Sequence, residues 1–165
     1  MIVISEIIRE LTANAAAVRA LVETTSDEQS QWKPDSETWC LKEVLEHLYN
    51  EERIDFRKHL KEILSDPPQL WQTFNQEEYV SVETCRQALE SFLAEREISI
   101  SWLGRLQSPD WDRSAQTPFR VLTAGEVLAS WSAHDYLHLR QINELLFAWN
   151  QKQALPYSVE YAGDW

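Results

Sequence analysis

Four stretches of this chain repeat apolar residues at i, i+3, i+4 and i+7, and strand-like alternation is nearly absent. That spacing turns one face of an α-helix toward a core, whereas a half-buried strand needs strict alternation. The pattern predicts an all-α fold, a four-helix bundle. With 165 residues and 44% hydrophobic content, the chain suits one domain with one core. No internal repeat or composition shift divides it, so residues 1–165 read as a single domain.

The first helix is expected over roughly residues 2–25, with Ile4, Ile7, Ile8, Leu11, Ala15, Val18, Leu21 and Val22 on its inner face. The second is expected from about Leu41 to Leu64, with Leu41, Val44, Leu45 and Leu48, then Leu60, Ile63 and Leu64. Cys40 and Glu43 imitate a capping box, with a weakly accepting thiol where Ser or Thr is usual. Asp66-Pro67-Pro68 should end that helix, because proline removes a donor and clashes with the preceding turn. The third helix reads from an N-cap at Ser81 to about Leu106, through Cys85, Leu89, Phe92, Ser99, Leu103 and Leu106. Arg96 interrupts its stripe and either snorkels to solvent or faces a polar pocket; snorkelling is the favoured reading. The fourth has the clearest start: Thr123 and Glu126 form a capping box ahead of Val127, Leu128 and Trp131, and the helix should reach about Asn150.

The links, about residues 26–39, 66–80 and 107–122, are longer than antiparallel hairpins need. Two combine aromatic residues with proline, at Trp32-Lys33-Pro34 and at Trp111 near Pro118-Phe119. They are expected to cap the bundle, or in one case to cross it from end to end. The tail, with Tyr157, Val159, Tyr161 and Trp165, is expected to pack on the bundle.

A formal net charge of −12 weighs against nucleic acid, whose binding depends on cations that neutralise phosphates, and against anionic membranes. Glu6, Arg9, Glu10 and Arg19 exclude a signal sequence or membrane span in residues 1–22. Cys40 and Cys85 form no CxxC pair and suggest no disulfide scaffold. A reducing cytoplasm is the expected compartment.

Chemistry concentrates in the fourth helix. His134 and His138 lie one turn apart on one face, about 6 Å along the axis. They share that face with Val127, Trp131, Gln141, Ile142 and Leu145. Inward imidazoles need hydrogen-bond partners or a metal ion. A third ligand must come from another helix, and His47 in the second is the candidate. His59, among Arg57, Lys58 and Lys61, is expected on a solvated face. Cys40 stands about 10 Å of helical rise from His47, too far to share its ion. Glu43 and Glu51 flank His47 at i−4 and i+4; each is an outer acceptor for its ring or a solvated carboxylate at the edge of the stripe. Three histidines leave a coordination position open, as catalytic zinc sites do. Imidazole suits Zn, Ni, Cu and Fe alike. By spacing alone, HxxxH is weak evidence. There is no GxSxG elbow, Walker loop or GxGxxG, and a Ser-His-Asp arrangement is disfavoured because Asp135 should point away from Ser130 and Ser132.

The segments "TWCLKEVLEHLYNEE" and "LTAGEVLASWSAHDYLHLRQINEL", with the lead-in "KPDSETW", resemble the DinB-like (YfiT-like) superfamily of metal-dependent enzymes. The match includes the spacing from Trp39 to His47 and the run His134, Asp135, His138, Gln141, Ile142. Cys40 departs from it, standing where Ser is common. The resemblance implies a four-helix bundle of up-down-down-up order, often dimeric, with a divalent metal held by His47, His134 and His138. It also implies relatives that use low-molecular-weight thiols such as bacillithiol or mycothiol.

Three functions compete at this point. The first is a metal-dependent enzyme, foremost a thiol S-transferase or a related hydrolase or isomerase acting on a small electrophile. Zn or Ni is its first-choice metal and Fe or Mn the next, and a homodimer is expected. In it Arg96 or Gln141 contacts substrate, although a structural role is the favoured reading for each, and Trp131 and Trp39 wall the pocket, although core packing explains the tryptophans equally well. The second is a metal- or ligand-binding bundle without turnover. The third is an interaction module whose histidines only satisfy one another.

Overall fold

The structure, a computed structural model, describes residues 3–67, 69, 71, 76–118 and 120–163. Met1, Ile2, Pro68, Phe119 and Trp165, to which the sequence reading extended, lie outside the described residues.

The first long helix is α1 (Ile4–Val22). A short helix, α2 (Asp27–Gln31), follows, capped by Ser26, whose hydroxyl accepts from Gln29 N. The second long helix is one continuous rod in three parts: α3 (Leu41–Asn50), a π-helical segment (Glu51–Phe56) and α4 (Arg57–Leu64). The third is α5 (Cys85–Leu103) and the fourth α6 (Ala124–Ala154).

The Thr123–Glu126 capping box is present, with Glu126 N donating to Thr123 Oγ1 at 3.1 Å and Thr123 N to Glu126 Oε2 at 2.8 Å. At Cys40 the carboxylate half of the box is made, Cys40 N donating to Glu43 Oε2 at 2.8 Å. The third helix starts three residues later than expected. Its N-cap is Thr84, paired with Gln87, while the Ser81 hydroxyl donates to Glu46 Oε1 at 2.7 Å.

Cross-helix pairs set the topology. Glu52 meets Arg96 and Arg57 meets Ser99, so the second and third long helices run parallel. Glu10 meets Ser132 and Asn14 meets Asp135, so the first and fourth also run parallel. His47 meets His138 while Glu52 meets Trp131, so the second and fourth are antiparallel. The order is up-down-down-up.

Two parallel consecutive helices require a connection that spans the bundle, and the link between Leu64 and Cys85 makes it; residues 65–67, 69, 71 and 76–84 of it are described. Buried Asn50 holds this segment through Val80, by Nδ2 to Val80 O and Val80 N to Oδ1, each 2.9 Å. Buried Glu46 accepts from Val82 N at 2.7 Å. These polar residues sit inside the helix because the backbone groups of Val80 and Val82, packed against it, need partners. The last link contains a small hairpin, β1 (Ser114–Gln116) with β2 (Val121–Thr123), absent from the sequence expectation because three-residue strands show no alternation to read.

The core has two apolar halves. One gathers Val18, Val44, Leu45, Leu48, Phe92 and Ile142; the other gathers Leu11, Leu60, Ile63, Leu103, Leu128 and Trp131. Between them lies a polar belt that includes buried Asn14, Glu52, Arg96 and Asp135. The tail's described residues pack less than expected: Tyr157 and Tyr161 stand in solvent, and among the described residues 155–163 only Val159 is half-buried. Leu155, which follows α6, is also exposed. No described helix is long and apolar enough to cross a membrane.

Candidate metal centre

Three of the four histidines converge at the level of the polar belt. His134 Nε2 lies 3.3 Å from His47 Nε2 and 3.1 Å from His138 Nε2. Each residue offers a nitrogen within 4.8 Å of the others. α6 supplies two rings because i and i+4 share a face; α3 supplies the third because its buried stripe of Val44 and Leu48 flanks His47. All three rings are half-buried. A cleft between α1 and α5, lined by Arg19, Val22, Cys85 and Leu89 among others, holds no comparable cluster.

Burial comes first in lowering all three imidazole pKa values. His47 falls to about 3, with the other two rings adding repulsion, and His134 to about 4, with repulsion from His138 and Arg96. His138 is lowered as well, against partial opposition from Gln141 and Asp135. The rings are therefore neutral near pH 7, the form that ligates metals.

The donor set fits a cation. His138 Nδ1 lies 2.8 Å from Gln141 Oε1, an acceptor, so that nitrogen carries the proton and Nε2 presents a lone pair. His134 Nε2 faces two other nitrogens but has at most one proton to give. Mutual hydrogen bonding thus leaves one ring short, whereas a single cation accepts three lone pairs. Zinc–nitrogen bonds of about 2.0–2.1 Å in tetrahedral geometry place ligand nitrogens about 3.3 Å apart, close to the two separations above.

The surroundings differ in part from expectation. Glu51, the first residue of the π-helical segment, brings Oε1 to 3.7 Å from His47 Nδ1, and burial beside Asp55 raises its pKa to about 7. Glu43 is not an acceptor for His47; it caps α3 and pairs with Lys33 at 2.7 Å. Gln141 holds a histidine ring. Trp39, 42% exposed, sets its ring edge-on to His47 at 5.2 Å. Trp131 is core, 1% exposed, stacked on Phe56, which in turn packs against His134 at 5.1 Å.

Arg96 does not snorkel. It is 2% exposed and donates from Nε to Glu52 Oε1 at 2.9 Å, from Nη1 and Nη2 to the two oxygens of Asp135 at 2.6 and 2.8 Å, and from Nη1 to Leu11 O at 3.0 Å. Asp135 accordingly points inward. His59 is also buried, 2% exposed, bonded to Glu62 at 2.8 Å and stacked on Trp71 at 3.6 Å. The crossing strap covers it, which its basic sequence neighbours could not reveal.

Phe56 and Glu52 escaped the sequence reading. A signal existed: the apolar stripe of the second helix lapses between Leu48 and Leu60, and the π-helical segment lies within that gap. π-helical turns are rare and occur often at functional sites.

Three imidazoles from the second and fourth long helices thus form a candidate metal centre inside a four-helix bundle. The chain belongs to the DinB superfamily, whose family model matches residues 10–142. No curated protein matches it in sequence. A solved structure, YfiT from Bacillus subtilis, superposes with a TM-score of 0.66 at 15% identity, covering 86% of this chain and 85% of that one. YfiT is described as a probable metal-dependent hydrolase with an unusual four-helix bundle topology. At that identity the likeness establishes the fold.

Proposed function

We propose that this protein is a divalent-metal-dependent enzyme with His47, His134 and His138 as ligands, acting on a small electrophilic substrate with a thiol or water as nucleophile. The convergence that carries the reading is His134 Nε2 at 3.3 Å from His47 Nε2 and 3.1 Å from His138 Nε2, with ligand nitrogens of all three within 4.8 Å of one another. Zn or Ni is the first choice of ion, Fe or Mn the next. A divalent ion so held supplies Lewis-acid activation of a nucleophile at the position the protein leaves open.

The chain's own groups do the rest. Gln141 fixes the proton of His138 on Nδ1. Glu51 stands where its carboxylate can orient His47. Trp39, exposed and edge-on to His47 at 5.2 Å, supplies an apolar rim. Such a rim favours a substrate with an apolar portion. Thiol S-transfer, with a low-molecular-weight thiol as co-substrate, is the specific reaction proposed; support comes from the family resemblance and from three neutral nitrogen ligands that leave room for an anionic sulfur. A homodimer and a cytoplasmic location complete the proposal.

Elemental analysis of protein purified without a His-tag is the first test. One equivalent of a transition metal, lost in His134→Ala, is expected. Metal far below one equivalent, indifferent to that substitution, would overturn the metal centre. Metal-loaded protein is then given small thiols and a chromogenic electrophile. Rates equal to the buffer blank across several thiols would remove transferase chemistry and leave hydrolysis or metal binding without turnover.

A further inference from the structure

The Arg96 cluster has a layout that stability alone does not explain. Arg96, Glu52 and Asp135 are all at most 3% exposed, and together they bear one negative charge in excess. Burying charges is expensive, and well-packed apolar residues of similar volume commonly replace such groups without loss of stability. The two apolar halves of the core supply many such residues on either side. What the cluster adds is geometry.

Its members are placed where geometry matters. Glu52 follows Glu51 on the rod that presents His47, and Asp135 follows His134 on α6. Arg96 reaches both from α5 and also holds Leu11 O of α1. All four long helices are therefore tied to one guanidinium. The fork to Asp135 is bidentate, so it fixes direction as well as distance. Glu52 Oε2 takes a second tie to α6 through Trp131 Nε1 at 3.0 Å.

A small slip shows the consequence. Helical Cα atoms lie about 2.3 Å from the axis, and the tip of a histidine lies several Å further out. Turning α6 by about 20° about its own axis therefore moves Nε2 by on the order of 2 Å. That displacement is as long as a metal–nitrogen bond of about 2.0–2.1 Å. A rotation that an apolar core tolerates would take His134 and His138 out of reach of the ion shared with His47.

We propose that Arg96 is a positioning residue for the metal centre: by clamping Asp135 and Glu52 it sets the rotation of α6 against the second long helix, and so the span between His47 and the His134–His138 pair. The inference rests on the metal-centre reading above. Lysine cannot replace Arg96 in this role, because an ammonium is a point donor without a planar fork.

The test titrates metal-free protein with Co²⁺, reading affinity and the visible ligand-field bands, alongside far-UV circular dichroism. The variants are Arg96→Lys and the charge-free combination Glu52→Gln, Arg96→Met, Asp135→Asn, which strands no buried charge. Arg57→Lys is the control. Arg57 is likewise buried and bonds from the second long helix to Glu95 and Ser99 of α5, with no bond to Glu51, Glu52 or Asp135. Expected are folded proteins in which both Arg96 variants bind Co²⁺ at least about tenfold more weakly with altered bands, in line with the effect of outer partners in known metal sites. Arg57→Lys should keep wild-type affinity and spectrum while losing thermal stability. Wild-type affinity and bands in a folded Arg96 variant would overturn the proposal. Equal weakening in Arg57→Lys would overturn it too, by showing general softening. Failure of the wild type to bind Co²⁺ would instead sink the metal centre itself.

Discussion

Replacing Trp131 by phenylalanine isolates one bond in the polar belt. The indole is 1% exposed, donates to Glu52 Oε2 at 3.0 Å, and lies nearly parallel to Phe56, with ring centroids 5.8 Å apart and an interplanar angle of 8°. Phenylalanine keeps a ring for the stack and deletes the donor. Glu52 is itself 1% exposed, so no solvent is at hand to replace the lost bond. A hydrogen bond to a charged acceptor contributes about 1.5–3 kcal/mol, and the smaller ring removes roughly another 1–2 kcal/mol of burial. The variant should therefore be about 3–4 kcal/mol less stable in urea unfolding. At about 2–4 °C per kcal/mol for a chain of this size, its Tm should fall by roughly 10 °C. A double-mutant cycle with Glu52→Ala separates the two contributions, because that change removes the acceptor and its cost at Arg96 cancels within the cycle. A loss under about 1 kcal/mol, or a coupling of zero, would refute the claim that the indole–carboxylate bond joins the second and fourth long helices.

Gln141→Leu should weaken metal binding about 10–100-fold without loss of helix content, because His138 Nδ1 loses its 2.8 Å acceptor; unchanged affinity in a chelator competition would count against that role. Metal-free protein should lose stability as pH falls from about 6.5 toward 3–4. The folded pKa values of His47 and His134, about 3 and about 4, lie below the ordinary 6.5, so the unfolded chain binds more protons across that window and stability is present above it. Urea midpoints that stay flat from pH 7 to pH 4 would contradict the burial of these rings. Thr123→Ala should cost about 1 kcal/mol by removing the α6 cap, seen as a Tm lowered by about 2–4 °C, with metal content unaffected.

How much of this was legible follows from the range of each interaction. The apolar stripes gave the four long helices, and the Thr123–Glu126 box gave the start of α6 to the residue, because capping bonds span three positions along the chain. The pairing of His134 with His138 was equally local. His47 could be nominated by its stripe but not aimed. Resemblance to a family supplied the link between helices that spacing lacked. Arg96 was misread because the same gap in an apolar stripe serves a snorkelling cation and a buried one; the difference lies in Glu52 and Asp135, 44 and 39 residues away in the chain. His59 was misplaced for a like reason, its cover being the crossing strap.

The sequence by itself determined where the four long helices lie, the capped start of α6, and that His134 and His138 share a face, since these depend on contacts within one or two turns; it missed α2 and the Thr84 cap of the third long helix. The parallel run of the second and third long helices and the meeting of His47 with His134 and His138 were expected from the resemblance and not from spacing; only the tertiary structure decided that Glu46 and Asn50 hold the link between those helices and that the histidines meet beside a buried arginine. Those outcomes depend on groups far apart in the chain, and distances between such groups exist only once the helices have packed.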